Sequence, residues 1–317
     1  MRDEDAILAY YQRIRDGSET VGKWLKLLYE VIFQGPSEKR WFWDQRLADN
    51  AIGFIERFCH HYKGKLAPQR IRLSLWERSS ISLIFGIVDG TGKRQFNEVF
   101  WVVGRKMGKS LLAGGIGTYM AYAAGEYGSD IYYLAPKLEQ ADLVYNDVWQ
   151  MTQLDPEWQA LKEICSERNT HNEKVNDDSM LAKHRQSDLA VVGLNATVKK
   201  IAFSAKKSDG FNPSLCICDE IAAWEGDKGL KQYEVMKSGM GARPEGLLLS
   251  CTTSGYVNDS IYDELIKRST RFLLGDSKER RLLPFLYMID DVEKWNDINE
   301  LHKSNPNLGV SVSVDYL

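Results

Sequence analysis

The chain has few of the residues that build covalent or metal staples. Its five cysteines, Cys59, Cys165, Cys216, Cys218 and Cys251, include no pair at Cys-x-x-Cys spacing, which argues against a disulfide framework and a structural zinc site. Cys216 and Cys218 alternate with Leu215 and Ile217 and read as small residues of a buried strand, so a reducing, cytoplasmic compartment is expected. Charge of one sign is also lacking. Lys and Arg total 41 against 44 Asp and Glu, a net charge of -3, so bulk electrostatics do not mark a stand-alone nucleic-acid-binding module. Any contact with DNA must come from local basic patches. Long hydrophobic runs are missing too: the softest stretch, Leu111 to Gly125, is too short and too rich in glycine to span a bilayer. The opening Met-Arg-Asp-Glu-Asp is acidic where a signal peptide is basic and then apolar. A soluble protein with no membrane partner is expected.

What the chain does have is core material. Over 317 residues, 44% are hydrophobic and 11% aromatic, enough for one large domain or two smaller ones. Residues 1–70 read as an N-terminal helical region. Ile7, Leu8, Tyr11 and Ile14 fall at helical spacing, as do Ala48, Ala51, Ile52, Ile55 and Phe58, with a break at Gln34-Gly35-Pro36-Ser37. Trp41, Phe42 and Trp43 read as packing residues. From residue 71 short apolar runs alternate with amphipathic segments. Strands are expected at Val99–Val103, Ile131–Leu134, Leu189–Val192, Ile201–Phe203 after a turn at Asn195, Leu215–Cys218 and Leu247–Leu249, with helices at Ser110–Ala124 and Leu138–Met151. Such alternation predicts an α/β fold with a mainly parallel central sheet flanked by helices. Asp155–Ser187 reads as an irregular insertion. Residues 71–262 are taken as the core and 263–317 as a small C-terminal linker or lid subdomain.

The strongest local signal is Val103-Gly104-Arg105-Lys106-Met107-Gly108-Lys109-Ser110, which follows a strand and opens a helix, the context of a phosphate-binding loop. Gly108 lets the backbone approach phosphates. The amides of Gly104, Arg105, Lys106, Met107, Gly108, Lys109, Ser110 and Leu111, with the helix N-terminus, form a positive cradle. Lys109 is placed to bridge the β- and γ-phosphates of ATP and Ser110 to put its hydroxyl on Mg²⁺. Arg105 is read as a cis cation for transition-state charge. The first glycine departs from the usual pattern: Val103 occupies its place and Gly104 comes one residue late.

A second apolar strand, Leu215–Cys218, ends in Asp219-Glu220. Asp219 fits the acid that holds Mg²⁺, usually through water, and Glu220 the general base that orients the attacking water. The adjacent pair, about a hundred residues after Lys109 with strands between, predicts a P-loop NTPase of the ASCE type, with an extra central strand and its own catalytic glutamate. Leu247–Leu249 then runs into Ser250-Cys251-Thr252-Thr253, where Thr252 and Thr253 read as hydroxyls that sense the γ-phosphate.

Together these residues resemble the large terminase subunit of tailed bacteriophages, in its ATPase half and within the HK97-like group. The likeness rests on Arg105 to Ser110, on Ser208-Asp209-Gly210-Phe211-Asn212-Pro213-Ser214 before Asp219-Glu220, on Thr252-Thr253, and on Asn305-Pro306-Asn307-Leu308-Gly309. The resemblance implies a packaging motor that drives double-stranded DNA into a procapsid in the host cytoplasm. It implies a ring, typically of five subunits, docked on the portal protein, with a small terminase subunit selecting the DNA. It also implies a nuclease half that is not expected in this portion. Where the family often has an aromatic and a glutamine that reads adenine, this chain has Trp76 and Glu77, and glutamate cannot donate as an amide does. A trans arginine finger is implied, with Arg168, Arg185 and Arg243 as candidates. Lys199, Lys200, Lys206, Lys207 and the cations from Lys267 to Arg281 are the basic stretches available to DNA, the last group interleaved with acids and read as a solvated face. The alternatives are a helicase-like translocase and an ATP-binding scaffold without turnover.

Overall fold

The apolar runs become the strands of one sheet. The fold is described from a computed structural model for residues 5–38, 40–159, 183–184, 188–191, 194–202, 210–255, 260–310 and 312–314. Helices α1 (Ala6–Asp16), α2 (Lys23–Gln34) and α3 (Gln45–Phe58) come first, followed by α4 (Leu75–Gly86). The Asp44 carboxylate accepts from the Leu47 N–H and caps α3, which buries Ala48, Ala51, Ile52 and Ile55 as their spacing predicts. In α1 the buried stripe is Ile7, Tyr10 and Ile14. Leu8 is 42% exposed, so the core face is turned from that expected, and Tyr10 meets Tyr29 edge-on. Of the aromatic run, Trp41 is fully buried and donates to the Ile32 carbonyl, whereas Phe42 is exposed. Phe42–Trp43 (β1) pairs antiparallel with Ile87–Val88 (β2).

The main sheet contains β3 (Glu98–Val102), β4 (Asp130–Ala135), β5 (Lys183–His184), β6 (Asp188–Val191), β7 (Ala196–Ala202), β8 (Leu215–Asp219), β9 (Leu247–Thr252) and β10 (Leu282–Leu286). Its order is β10-β3-β9-β8-β4-β7-β6-β5. The six strands from β10 to β7 run parallel, and β6 and β5 add antiparallel pairs at one edge. Asn195 makes the turn before β7 with φ 51°, a left-handed conformation that asparagine tolerates better than most residues. β3, β8, β9 and β10 carry almost wholly apolar, buried sequence, as strands covered on both faces require. The flanking helices include α5 (Lys109–Tyr122), α6 (Leu138–Gln153), α7 (Gly226–Gly239), α8 (Ile261–Leu273) and α9 (Ile298–Ser304).

Two features position the site. β9 lies between β3 and β8, the extra central strand expected from the paired acids. β10 lies on the other side of β3, so the segment expected as a lid from 263 onward instead supplies a core strand. The apolar Leu282–Leu286 run buries against the strand before the phosphate loop, and only the residues after β10 form the small C-terminal portion. At the far end of β3, Glu98 is 2% exposed and is held by both guanidinium nitrogens of Arg268, at 2.6 and 2.8 Å, by Lys237 at 3.0 Å and by the Tyr233 hydroxyl. That cluster ties the strand to α7 and α8. Most of Asp155–Ser187 lies outside the described residues.

Candidate active site

β3 delivers the chain to a loop whose conformation suits an anion. The Val103 N–H donates to the Thr252 carbonyl at 3.1 Å, continuing the β3–β9 ladder by one bond. Lys106 and Gly108 then take left-handed conformations with φ 65° and 92°, and α5 opens at Lys109 with no side chain capping it. An uncapped helix start presents amide N–H groups and the positive end of the helix dipole. Arg105, Lys106 and Ser110 are exposed, Gly104, Gly108, Lys109 and Leu111 half-buried, and Met107 buried. The Lys109 ammonium donates to the Gly104 carbonyl at 3.4 Å, folding back over the loop. Gly104 has a steric reason to be glycine: a Cβ there would sit 1.9 Å from Asn305 Oδ1. That close approach accounts for a glycine one place late in the motif.

Two strands away β8 ends at Asp219, opposite Cys251 of β9 in register. Burial and the neighbouring Glu220 charge push the Asp219 carboxyl up to about 6, against the Glu220 N–H and the Lys109 ammonium, which pull it down. Lys109, Asp219 and Glu220 therefore share one electrostatic neighbourhood, and all three act on the buried Cys251 thiol between them. Glu220 has φ 48° and ψ 47°, a left-handed conformation that costs a non-glycine residue of order 1–3 kcal/mol and is concentrated at functional sites. It is fixed by its own N–H donating to Asp219 Oδ1 at 3.0 Å and by the Trp224 indole donating to the Asp219 carbonyl at 3.0 Å. Asp147 on α6, which sequence reasoning missed, also acts on Asp219. It is 5% exposed, accepts from the Tyr62 hydroxyl, and faces Lys63 at 3.7 Å. A cavity of about 310 Å³ lies there, lined by His61, Tyr62, Lys63, Ser110, Leu111 and Asp147.

The hydroxyl strand links the two motifs. Thr252 is fully buried; its hydroxyl accepts from the Ala222 N–H at 3.1 Å and donates to the Thr253 carbonyl at 2.8 Å. It thus ties the turn after Glu220 to the turn after β9, while Thr253 is half-buried beyond it. Trp76 and Glu77, the pair at the adenine-reading place of the motif, are both buried. Trp76 is 3% exposed, edge-on to Trp101 and Tyr287. Glu77 is 6% exposed and closes the capping box of α4 on Ser74. Glu77 Oε1 lies 3.3 Å from where a Cβ on Gly108 of the loop would stand.

The remaining cations are largely engaged within the chain. Arg243 is bound to Asn212 and Gly128 carbonyls and to Glu126 and Asp130, contacts that a finger reaching into a neighbour must break. Lys199 faces Asp130 at 3.8 Å, and Lys200 pairs with Asp142. Arg268 is committed to Glu98 and Glu279. Arg168, Arg185, Lys206, Lys207, Ser208 and Asp209 lie outside the described residues. Among the described residues no three His, Cys, Asp or Glu side chains cluster as a metal cage. The donors that fit a magnesium ion are hard oxygens, the Ser110 hydroxyl and the Asp219 carboxyl. With only these two protein oxygens, the other ligands of such an ion would be waters and phosphate oxygens. No helix among the described residues is long and apolar enough to cross a membrane.

Comparison with known proteins places this geometry in context. Residues 75–271 match the family described as the terminase large subunit, ATPase domain. Protein YmfN of Escherichia coli strain K12 is 33% identical over 113 residues, 35% of this chain and 24% of that protein. The terminase large subunit of Enterobacteria phage HK97 is 26% identical over 215 residues, 67% of this chain and 37% of that protein. The crystal structure of the HK97 bacteriophage large terminase superposes with a TM-score of 0.62 at 22% identity, covering 85% of this chain and 50% of that one, and shows the same fold. The chain spans half or less of the length of each of these proteins.

Proposed function

Since this chain belongs to the family of terminase large-subunit ATPase domains, we propose that it is the ATPase motor of viral DNA packaging, coupling ATP hydrolysis to movement of double-stranded DNA into a procapsid. The observation that carries the reading is the shared neighbourhood of Lys109, Asp219 and Glu220, brought to strand ends on either side of β9 by the β3-β9-β8 order.

In this reading Lys109 leaves the Gly104 carbonyl and takes the β- and γ-phosphates, while the amides from Gly104 to Leu111 surround them. Ser110 and Asp219 hold Mg²⁺, which when bound neutralises phosphate charge. Glu220 accepts the proton of the attacking water, and exposed Arg105 offers a cation to the γ-phosphate in cis. Loss of that phosphate is relayed from the Glu220 turn to β9 through the Thr252 hydroxyl, with Thr253 at its exit. The protein works in the host cytoplasm as a ring, taken as a pentamer, on the portal, with the small terminase subunit bringing the DNA.

Steady-state hydrolysis with and without duplex DNA, in the presence of portal, tests this. Turnover rises with DNA, and Lys109→Ala loses at least about 100-fold. Hydrolysis indifferent to DNA in the assembled complex, or unchanged in Lys109→Ala, contradicts the reading.

A further inference from the structure

The segment after α9 lies directly on the phosphate loop. Asn307 is 8% exposed and its amide faces three fixed partners. The Trp76 indole N–H is 2.8 Å from Asn307 Oδ1, while Asn307 Nδ2 lies 3.4 Å from the Met107 carbonyl and 3.5 Å from Glu77 Oε1. An indole can only donate and a carbonyl can only accept, so the amide orientation is dictated: oxygen to Trp76, NH₂ to the loop and to Glu77. Glu77 is itself fixed, its other oxygen accepting from the Ser74 N–H and hydroxyl at 2.7 and 2.8 Å. Its Oε1 lies 3.3 Å from where a Cβ on Gly108 would stand.

A second contact grips the loop at its other end. The Gly104 N–H donates to the Ser304 carbonyl at 2.9 Å. Asn305 Nδ2 donates to the Leu301 carbonyl and to the Ser304 hydroxyl, both at 2.9 Å, leaving Oδ1 against Gly104. The segment is held in shape by its own turn, in which the Leu308 N–H donates to Asn305 and the Gly309 N–H to Val312. Part of its local shape thus comes from bonds within the segment.

We propose that Asn307 is a positioning residue for the phosphate loop: with Trp76 and Glu77 it fixes the Met107–Gly108 turn in the shape that receives a triphosphate. The C-terminal segment is thereby part of the nucleotide site. The proposal rests on the ATPase reading of that loop. It also gives Glu77 a use that a glutamine meets less well, since only a carboxylate accepts at both oxygens, from Ser74 on one side and Asn307 on the other. An aspartate at position 307 keeps the shape and still accepts from Trp76, but turns a buried oxygen toward a carboxylate and a carbonyl. Oxygen then faces oxygen on both sides, and since a buried carboxylate pair relieves this only by taking up a proton, the loop is pushed away most strongly at high pH.

The test is a double-mutant cycle on ATP affinity in the 317-residue chain, with a fluorescent ATP analogue and Mg²⁺ as probe and thermal unfolding without nucleotide as the control for folding. Asn307→Asp is expected to weaken binding roughly tenfold or more. Glu77→Gln weakens it less. The double variant, in which the amide introduced at position 77 donates to the carboxylate introduced at position 307, recovers the part of the loss that comes from the facing carboxylates. It does not recover the part that comes from the Met107 carbonyl, which still meets an oxygen, so its affinity falls between those of Asn307→Asp and the parent. A structural role alone lowers the unfolding temperature and leaves the affinity of the folded protein unchanged. Should Asn307→Asp fail to fold, Asn307→Ala carries the same expectation of weakened binding, because it removes the donor without adding an acceptor. Folded variants that bind like the parent, or a double variant no better than Asn307→Asp, overturn the proposal. Lys109→Ala in the same series separates the two readings: if it too binds like the parent, the phosphate-loop assignment falls; if it alone loses binding, only the role of Asn307 does.

Discussion

Asp219 holds its proton up to about pH 6 because it is buried and sits beside Glu220. Its pKa when folded is above the ordinary aspartate value, so the nucleotide-free protein binds a proton that the unfolded chain releases. This group's contribution to stability is fully present below about pH 4 and is lost as pH rises through about 6. Asp219→Asn is accordingly expected to stabilise the nucleotide-free protein at pH 8 by up to about 3 kcal/mol, with the gain shrinking toward pH 5. Urea unfolding at the two pH values measures it, and a pH-independent difference contradicts the assignment. Gained stability at the cost of function is the usual signature of a site built for a missing charge. At this scale the sequence was informative where chemistry is local: Lys109, Ser110, Asp219 and Glu220 follow their strands in order. It was uninformative about Trp76 and Glu77, whose partner Asn307 lies 231 and 230 residues away. The Asn305-Pro306-Asn307 run was visible as a motif, but nothing adjacent in sequence indicates what it touches.

The elements are joined at the site by one strand. β9 stands between the phosphate-loop strand and the acidic strand, and Thr252 at its end bonds both to the turn after Glu220 and to its own exit. Thr252→Val keeps the shape and removes the hydroxyl, leaving the Ala222 N–H without its acceptor in a buried place. Thermal or urea unfolding should register a loss of about 1–3 kcal/mol. Hydrolysis should fall with it, because the Glu220 turn is freed. Wild-type stability in the valine variant removes Thr252 as the link. Strands β3, β4 and β6 to β9 were legible, the fully buried parallel ones because they leave uninterrupted apolar runs, whereas β5 and β10 were not expected as strands. The lateral order of the strands was not legible, since Leu282–Leu286 reads as one more apolar segment and nothing local shows that it pairs with β3. The rotation of α1 was missed for a similar reason: Leu8 and Tyr10 are both plausible core residues, and only the tertiary packing against Tyr29 selects Tyr10.

Across the described residues the sheet forms a frame, with the candidate site at the carboxyl ends of β3, β8 and β9. Its far end is anchored by Glu98 with Arg268, Lys237 and Tyr233. The segments on either side of the core return to it, the N-terminal helices through α2 beside β10 and the C-terminal segment through Asn305 and Asn307. In a ring motor such a frame transmits the state of one site outward through its rigid elements. The motor reading depends on one triphosphate meeting both motifs at once. A crystal structure of Glu220→Gln with ATP and Mn²⁺, the metal located by its anomalous scattering, tests this most directly. The expected result is the ion between the Ser110 hydroxyl and the Asp219 carboxylate, with the γ-phosphate against Lys109 and position 220. A nucleotide bound away from the 104–111 loop, or an ion out of reach of Asp219, would contradict it.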